Sequence, residues 1–196
     1  MESSGEEGTP AFFRGKDGSH IADETTILGI DPGYGRIGYG ALLVRANRFF
    51  HLGHGVIETD KQAPIPSRLN QIFEDISRLI AHFSPQEAAV ETLFFFRNVT
   101  TAMNVSEARG VIQLALFRGG VSIAEYTPFQ VKQSATGSGK AEKGQVQRVL
   151  KMLLHLDATP KPDDAADALA AALCHAHTRQ FARHLPSTNH TSQGGS

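Results

Sequence analysis

ILGIDPG, residues 27–33, carries apolar and small residues into an aspartate and then directly into Pro32-Gly33. A short apolar run that ends on a turn dipeptide is a buried strand. Its last side chain, Asp31, therefore stands where a strand meets a loop, at the carboxyl end of a sheet, which is where α/β proteins build their sites. Taken alone, Asp31 fits equally well an aspartate that merely opens a turn. Outward from this segment, IGYGALLV (37–44) and FFHLGHGVIE (49–58) read as two further strands parted by Ala46-Asn47, which makes a three-strand meander.

Between residues 67 and 83 the apolar positions Leu69, Ile72, Phe73, Ile76, Leu79 and Ile80 recur at helical spacing, and Ser84-Pro85 closes the helix. AAVE (88–91) is a buried strand, a helical stretch follows over about 100–117, and VSIAEY (121–126) is another strand. A polar, glycine-containing segment, TGSGKAEKG (136–144), leads into two more helices at about 143–155 and 164–181. The order β-β-β-α-β-α-β predicts a mixed five-stranded sheet with helices on both faces.

Both ends differ in composition from the middle. Residues 1–25 hold Glu2, Glu6, Glu7, Asp17, Asp23 and Glu24 against only Arg14 and Lys16, and the end of the chain is rich in Ser, Thr, Gly and Asn. The expected organisation is a flexible acidic extension over 1–25, one domain over 26–181 and a flexible tail over 182–196. With 196 residues, 40 % hydrophobic and 20 % charged, one ordinary α/β core is affordable to the chain and a second full domain is not. The sole cysteine, Cys174, has no partner for a disulfide and reads as core, which suits a reducing cytoplasm. No secretory signal and no membrane span is legible. A formal net charge of −1 excludes a protein coated in positive charge, although a basic stripe on one face is all that DNA binding needs.

The residues with chemical potential are acidic. Glu91 terminates the apolar run AAV, where a charge belongs only at a surface or in a site. PDDAADALAAAL (162–173) adds Asp164 and Asp167, three apart and hence on one helix face. Asp163, following Pro162, reads as the helix cap, with a place in the metal site as the alternative. Asp167 lies a turn further in and leads into ALAAAL, so its charge faces either apolar packing or a cation. Convergence of all four would cost several kcal/mol in mutual repulsion unless divalent cations neutralise them. Oxygen ligands select hard ions such as Mg²⁺ or Mn²⁺, and two such ions ~4 Å apart are the known arrangement for in-line phosphodiester cleavage.

ILGIDPG (27–33), GYG (38–40), VETLFF (90–95), EARGVIQLAL (107–116), EYTPFQVKQSATGSGKAEKGQVQ (125–147) and DDAADALAAALCHAH (163–177) together resemble the RuvC family of bacterial Holliday-junction resolvases. The resemblance covers about residues 26–177. It implies an RNase H-like fold and a homodimer that makes paired symmetric nicks in four-way junction DNA. The implied catalytic and metal-binding residues are Asp31, Glu91, Asp164 and Asp167, holding two Mg²⁺ ions with Mn²⁺ as substitute. Phe94 matches an aromatic that stacks on an unpaired base, and Phe95 and Phe96 beside it read as core. Lys132 and Lys143 match DNA-contacting lysines, and with Lys140, Arg97 and Arg109 they would form a basic path. A branch-migration motor and a junction-binding protein (RuvB and RuvA) are the implied partners, in the cytoplasm and away from the membrane.

Small residues Ala102, Ala108, Gly110 and Ala115 mark the helix after Glu91 as a dimer contact, and His175 and His177 read as structural. Alternative readings are a junction-binding protein without catalysis and an RNase H-like nuclease for another branched or RNA substrate. An actin-like ATPase shares the Gly-Ile-Asp-x-Gly start but needs a second subdomain for which this chain has no room.

Overall fold

In the computed structural model, which describes residues 24–92 and 99–184, the chain forms ten elements in the order β1 (Glu24–Asp31), β2 (Arg36–Arg45), β3 (Arg48–Glu58), α1 (Ile65–Phe83), β4 (Glu87–Glu91), α2 (Val99–Arg118), β5 (Ser122–Tyr126), α3 (Pro128–Thr136), α4 (Lys143–Leu153) and α5 (Asp163–His184). The sheet order is β3-β2-β1-β4-β5. β1, β2 and β3 run antiparallel, whereas β4 and β5 lie parallel to β1. The β2–β3 loop, Ala46-Asn47, has positive φ at both residues (46° and 61°), the backbone of a tight hairpin whose twist matches its strands.

Strand alternation sorts the core into two layers. Leu28, Ile30, Ile37, Ala41, Ala88 and Val90 face α1 and α2, while Ile27, Leu42, Val44 and Ala89 face α3, α4 and α5. The sheet thus has helices on both faces, as the element order predicts. α5 differs from the other helices in being wrapped by protein through its first half: Ala165, Ala166, Ala168, Leu169, Ala170, Ala171, Ala172 and Leu173 are all buried. A helix apolar all round is a buried one, and alanine is the side chain that lets it lie closest to a sheet.

α3 goes beyond the sequence reading, which assigns no element to 127–135. It begins on a capping box in which Thr127 accepts from the Gln130 backbone N–H and Gln130 reaches back to the Thr127 N–H, with Pro128 at the first turn. The motif Thr-Pro-Phe-Gln was the local signal for it. On α2, Ala108 and Ala115 are buried against the sheet instead of lining an open face, so of the proposed small-residue contact only Gly110 is exposed.

Candidate active site

Asp31 and Glu91 are the last residues of β1 and β4, neighbouring parallel strands paired up to Ile30 and Val90. The parallel register places both carboxylates at one end of the sheet. Ile30 and Val90 point into the α1–α2 layer, so the next residues point to the other side, toward α5. What brings α5 there is a set of glycines on that same side. A Cβ on Gly29 would stand 2.0 Å from the Ala168 carbonyl oxygen, one on Gly38 1.9 Å from that of Asp164, and one on Gly40 2.6 Å from Leu169 Cγ. The helix therefore rests directly on strand backbone, and its first turns deliver Asp164 and Asp167 beside Asp31.

The electrostatics follow from this crowding. Burial, then the charges of Asp167 and Asp164, raise the Asp31 carboxyl to about 7 against an opposing pull from Lys143. Burial, then Asp31 and Asp167, raise Glu91 to about 8, opposed by Lys143 and Lys132. Lys143 Nζ donates to Asp167 Oδ2 at 3.1 Å. Burial alone would lower Lys143, but the hydrogen bond and charge of Asp167 outweigh it and leave it raised. Arg36 Nη1 lies 3.6 Å from Asp164 Oδ2 while its Nε donates to Glu58 Oε1 at 2.9 Å. As the side chains stand, with Asp167 turned to Lys143 and Asp164 toward Arg36, no three Asp, Glu, His or Cys groups among the described residues close on one ion position. The donor set itself, all oxygen and mutually repelling, fits hard divalent cations.

These shifts have a measurable sign. An acid whose folded value is raised keeps its proton after the unfolded chain has lost it, so folding stability falls as pH climbs toward the folded value. His51, His54 and His177 are lowered, chiefly by burial, and oppose this only below their unfolded value of 6.5. Between pH 6.5 and 8.5 the acids therefore dominate. The EDTA-treated protein should lose about 2 kcal/mol across that interval, seen as a falling melting temperature, and Mg²⁺ should restore more at pH 8.5 than at pH 6.5. A flat melting profile, unchanged by Mg²⁺, would remove the repulsive cluster from consideration.

Of the other expected site residues, Lys132 on α3 lies close enough to Glu91 to lower it, Lys143 sits on Asp167, and Lys140 is exposed in the α3–α4 loop. Arg109 requires correction: it pairs with Glu125 of β5, which Gln113 also contacts, on the α2 side of the sheet. Glu125 stands opposite Val90, whose side chain belongs to the layer away from the acids, so Arg109 is not part of a basic path along the acidic face. Phe94, Phe95, Phe96 and Arg97 lie outside the described residues.

Asp163 is likewise not a cap. The Pro162 carbonyl accepts the N–H groups of Ala165 and Ala166, and Asp163 opens the helix with its carboxylate bonded to Gln147 Nε2 (2.9 Å) and Lys161 Nζ (3.2 Å). These bonds, Lys161 first, hold it below the usual carboxylate range. His175 is structural, bonded to Glu87 Oε2 and the Tyr126 hydroxyl at 2.7 Å each, and His177 bonds Ser134 at 3.0 Å. Cys174 is buried. The sequence reading missed Arg36, Gln147 and the structural purpose of Gly29, Gly38 and Gly40. Glycines two apart on a strand, together with an alanine-rich helix, were the available signal for close helix-on-sheet packing.

With this geometry in view, the comparisons with known proteins are consistent among themselves. The family model described as crossover junction endodeoxyribonuclease RuvC matches residues 27–175. A crossover junction endodeoxyribonuclease RuvC of Petrotoga mobilis is 58 % identical over 154 residues, covering 79 % of this chain and 94 % of that one. The solved structure of Thermus thermophilus RuvC aligns with a TM-score of 0.74 at 35 % identity, over 80 % of this chain and 96 % of that one. T. thermophilus RuvC in complex with Holliday junction substrate aligns with a TM-score of 0.73 at 32 % identity and the same coverage. The RNase H-like fold is thereby shared. None of the described helices is long and apolar enough to cross a membrane.

Proposed function

Since the chain belongs to the RuvC family of crossover junction endodeoxyribonucleases, we propose that it resolves Holliday junctions by paired symmetric nicks, in DNA recombination and repair, with Asp31, Glu91, Asp164 and Asp167 as its catalytic carboxylates. The observation that carries this reading is the meeting of those acids at one end of β1 and β4, where burial and mutual repulsion hold Asp31 at about 7 and Glu91 at about 8. A pair of groups so perturbed in a cleft is the mark of a site that expects a counter-charge. Two Mg²⁺ ions held there, or Mn²⁺ in their place, would supply the charge neutralisation and Lewis acidity that phosphodiester hydrolysis requires.

The chain's own residues do the rest. α5 and the two strand ends bring the four carboxylates to one place, and Asp167 and Asp164 would turn from Lys143 and Arg36 to meet the cations. Lys143 and Lys132 flank Asp167 and Glu91 and draw the anionic backbone toward an otherwise negative cleft, together with the exposed Lys140. Hydrolysis forms a bond from water oxygen to phosphorus and breaks the bond from phosphorus to the 3′ oxygen, leaving 5′-phosphate and 3′-hydroxyl ends. Phe94 belongs to this DNA-contacting set by family resemblance, and Arg97 joins it as a further cation of the basic path.

Paired nicks call for two copies. On α2, Met103, Gly110, Leu114 and Phe117 are exposed on one strip, with Met103, Leu114 and Phe117 at 60 %, 51 % and 78 % exposure, and their spacing of seven, four and three residues suits a helix–helix contact in a homodimer. RuvA and RuvB are the partners, and the cytoplasm the compartment, that this reading entails. Residues 26–181 form the nuclease unit in it.

The test is cleavage of a labelled mobile four-way junction against a matched linear duplex in Mg²⁺, Mn²⁺ or EDTA. Symmetric nicks in the junction alone, abolished by EDTA, are expected. Tight junction binding without cutting in any metal would leave a recognition protein, and equal cutting of the duplex would remove junction selectivity.

A further inference from the structure

Beside Asp164 the surface opens into a notch of about 540 Å³ bounded by Gly35, Arg36, Glu58, Thr59, Lys61 and Asp164. Its cations are unevenly balanced. The Arg36 guanidinium is half exposed and shared between Glu58, at 2.5 Å, and Asp164, at 3.6 Å, and Lys61 stands exposed on the same rim. Behind the wall lies a third cation. Arg68 is buried, stacks 3.6 Å over the Tyr34 ring, and donates to neutral oxygens, Thr59 Oγ1 at 3.0 and 2.8 Å and the Tyr34 carbonyl at 3.2 Å. Among the described residues no carboxylate lies within ion-pair distance of it. A Cβ on Gly35 would come within 3.8 Å of Arg68 Nη2, and Thr59, which also lines the notch, accepts from the same guanidinium.

We infer that this notch is a subsite for a second backbone phosphate of the DNA, adjoining the one that is cut, with Arg36 as its principal ligand. The inference rests on the nuclease reading of the acidic site. Once Asp164 is engaged by a cation, Arg36 retains only Glu58, through an exposed ion pair that contributes little net stability and exchanges easily. A phosphate offers the same forked acceptor geometry with more charge. Arg36, Lys61 and Arg68 then outnumber the remaining carboxylate, Glu58, and the N-terminal end of α5 adds its partial positive charge.

The test uses the full chain carrying Asp31→Asn, in Mg²⁺, binding a fluorescent four-way junction and a matched duplex over a salt series. Adding Arg36→Gln should weaken binding about tenfold near 0.1 M salt and make the slope of log K against log salt shallower by about one. Adding Glu58→Gln, which frees the guanidinium, should tighten binding a few-fold. In the chain with Asp31 intact, Arg36→Gln should keep the Mg²⁺-dependent melting shift and slightly enlarge it, since Asp164 loses a partial counter-charge. Unaltered affinity and slope in the Arg36 variant would overturn the subsite. So would an unaltered slope with an enlarged Mg²⁺ shift, because Arg36 would then serve only as counter-ion to Asp164. Equal junction and duplex affinity in the parent would instead count against the resolvase reading, while the salt slope on either DNA still judges the subsite.

Discussion

Asp31→Asn should yield a protein that folds, binds four-way junctions and cuts them about a thousandfold more slowly than the native chain, a rise of about 4 kcal/mol in barrier height. The substitution keeps the shape of the side chain and removes its charge. In the absence of metal that charge is a burden, because burial and the carboxylates of Asp167 and Asp164 hold Asp31 at about 7. The variant should therefore be more stable than the native protein in EDTA at pH 8, by about 2–4 kcal/mol, and should gain less from Mg²⁺ than the native chain does, although Glu91, Asp164 and Asp167 remain to hold the cation. Rising stability with falling activity is what a site that stores repulsion for function produces. Melting curves in EDTA and in Mg²⁺ beside single-turnover cleavage check both halves. A variant that cuts at the native rate would take Asp31 out of the catalytic set, and one that is less stable in EDTA would contradict the repulsion.

Gly38→Ala, a change of one methyl group, should cost about 3 kcal/mol of stability and at least about a hundredfold in cleavage. The added Cβ would meet the Asp164 carbonyl oxygen at 1.9 Å and its carbon at 2.4 Å, and both are backbone atoms that no rotamer change can move. α5 would have to lift from β2, carrying Asp164 and Asp167 away from Asp31 and Glu91. Gly53→Ala on β3 is the matched control, since its Cβ would meet only the Phe83 ring at 3.0 Å, far from the acids, and that ring can tilt. The control should stay within about 1 kcal/mol and cleave normally. Equal effects at the two positions would show that helix seating is not what sets the acid geometry.

Much of the molecule is legible before it folds because much of it is locally specified. Apolar period and turn chemistry mark the strands and the long helices, and the capping box at Thr127 marks α3, though an apolar-period reading passes over it. Three of the acids are legible for a related reason: Asp31 and Glu91 end apolar strands and Asp167 lies one turn into a helix, where a buried charge needs a purpose, whereas Asp164 in the first turn stands out only through the family resemblance. Arg109 shows the limit. In sequence it is one more cation near a DNA-contacting block, and only the pairing of β5 with β4 reveals that it faces Glu125 on the far side of the sheet. Asp163 shows it again, since its position after Pro162 suits a cap equally well until Gln147 of α4, beside the neighbouring Lys161, takes up its carboxylate.

The chain by itself determined the order of its elements and the mixed sheet with helices on both faces, since period and capping act over a few neighbouring residues, while the acids are candidates in sequence that the family resemblance gathers into one set. Tertiary structure alone decided that Gly29, Gly38 and Gly40 seat α5 on bare backbone, that Lys143 and Arg36 compensate two of the acids, and that Arg68 lies behind the notch at Asp164. Those outcomes depend on which distant segments come within a few ångströms of one another, and Coulomb and contact forces act on that separation in space rather than on separation along the chain.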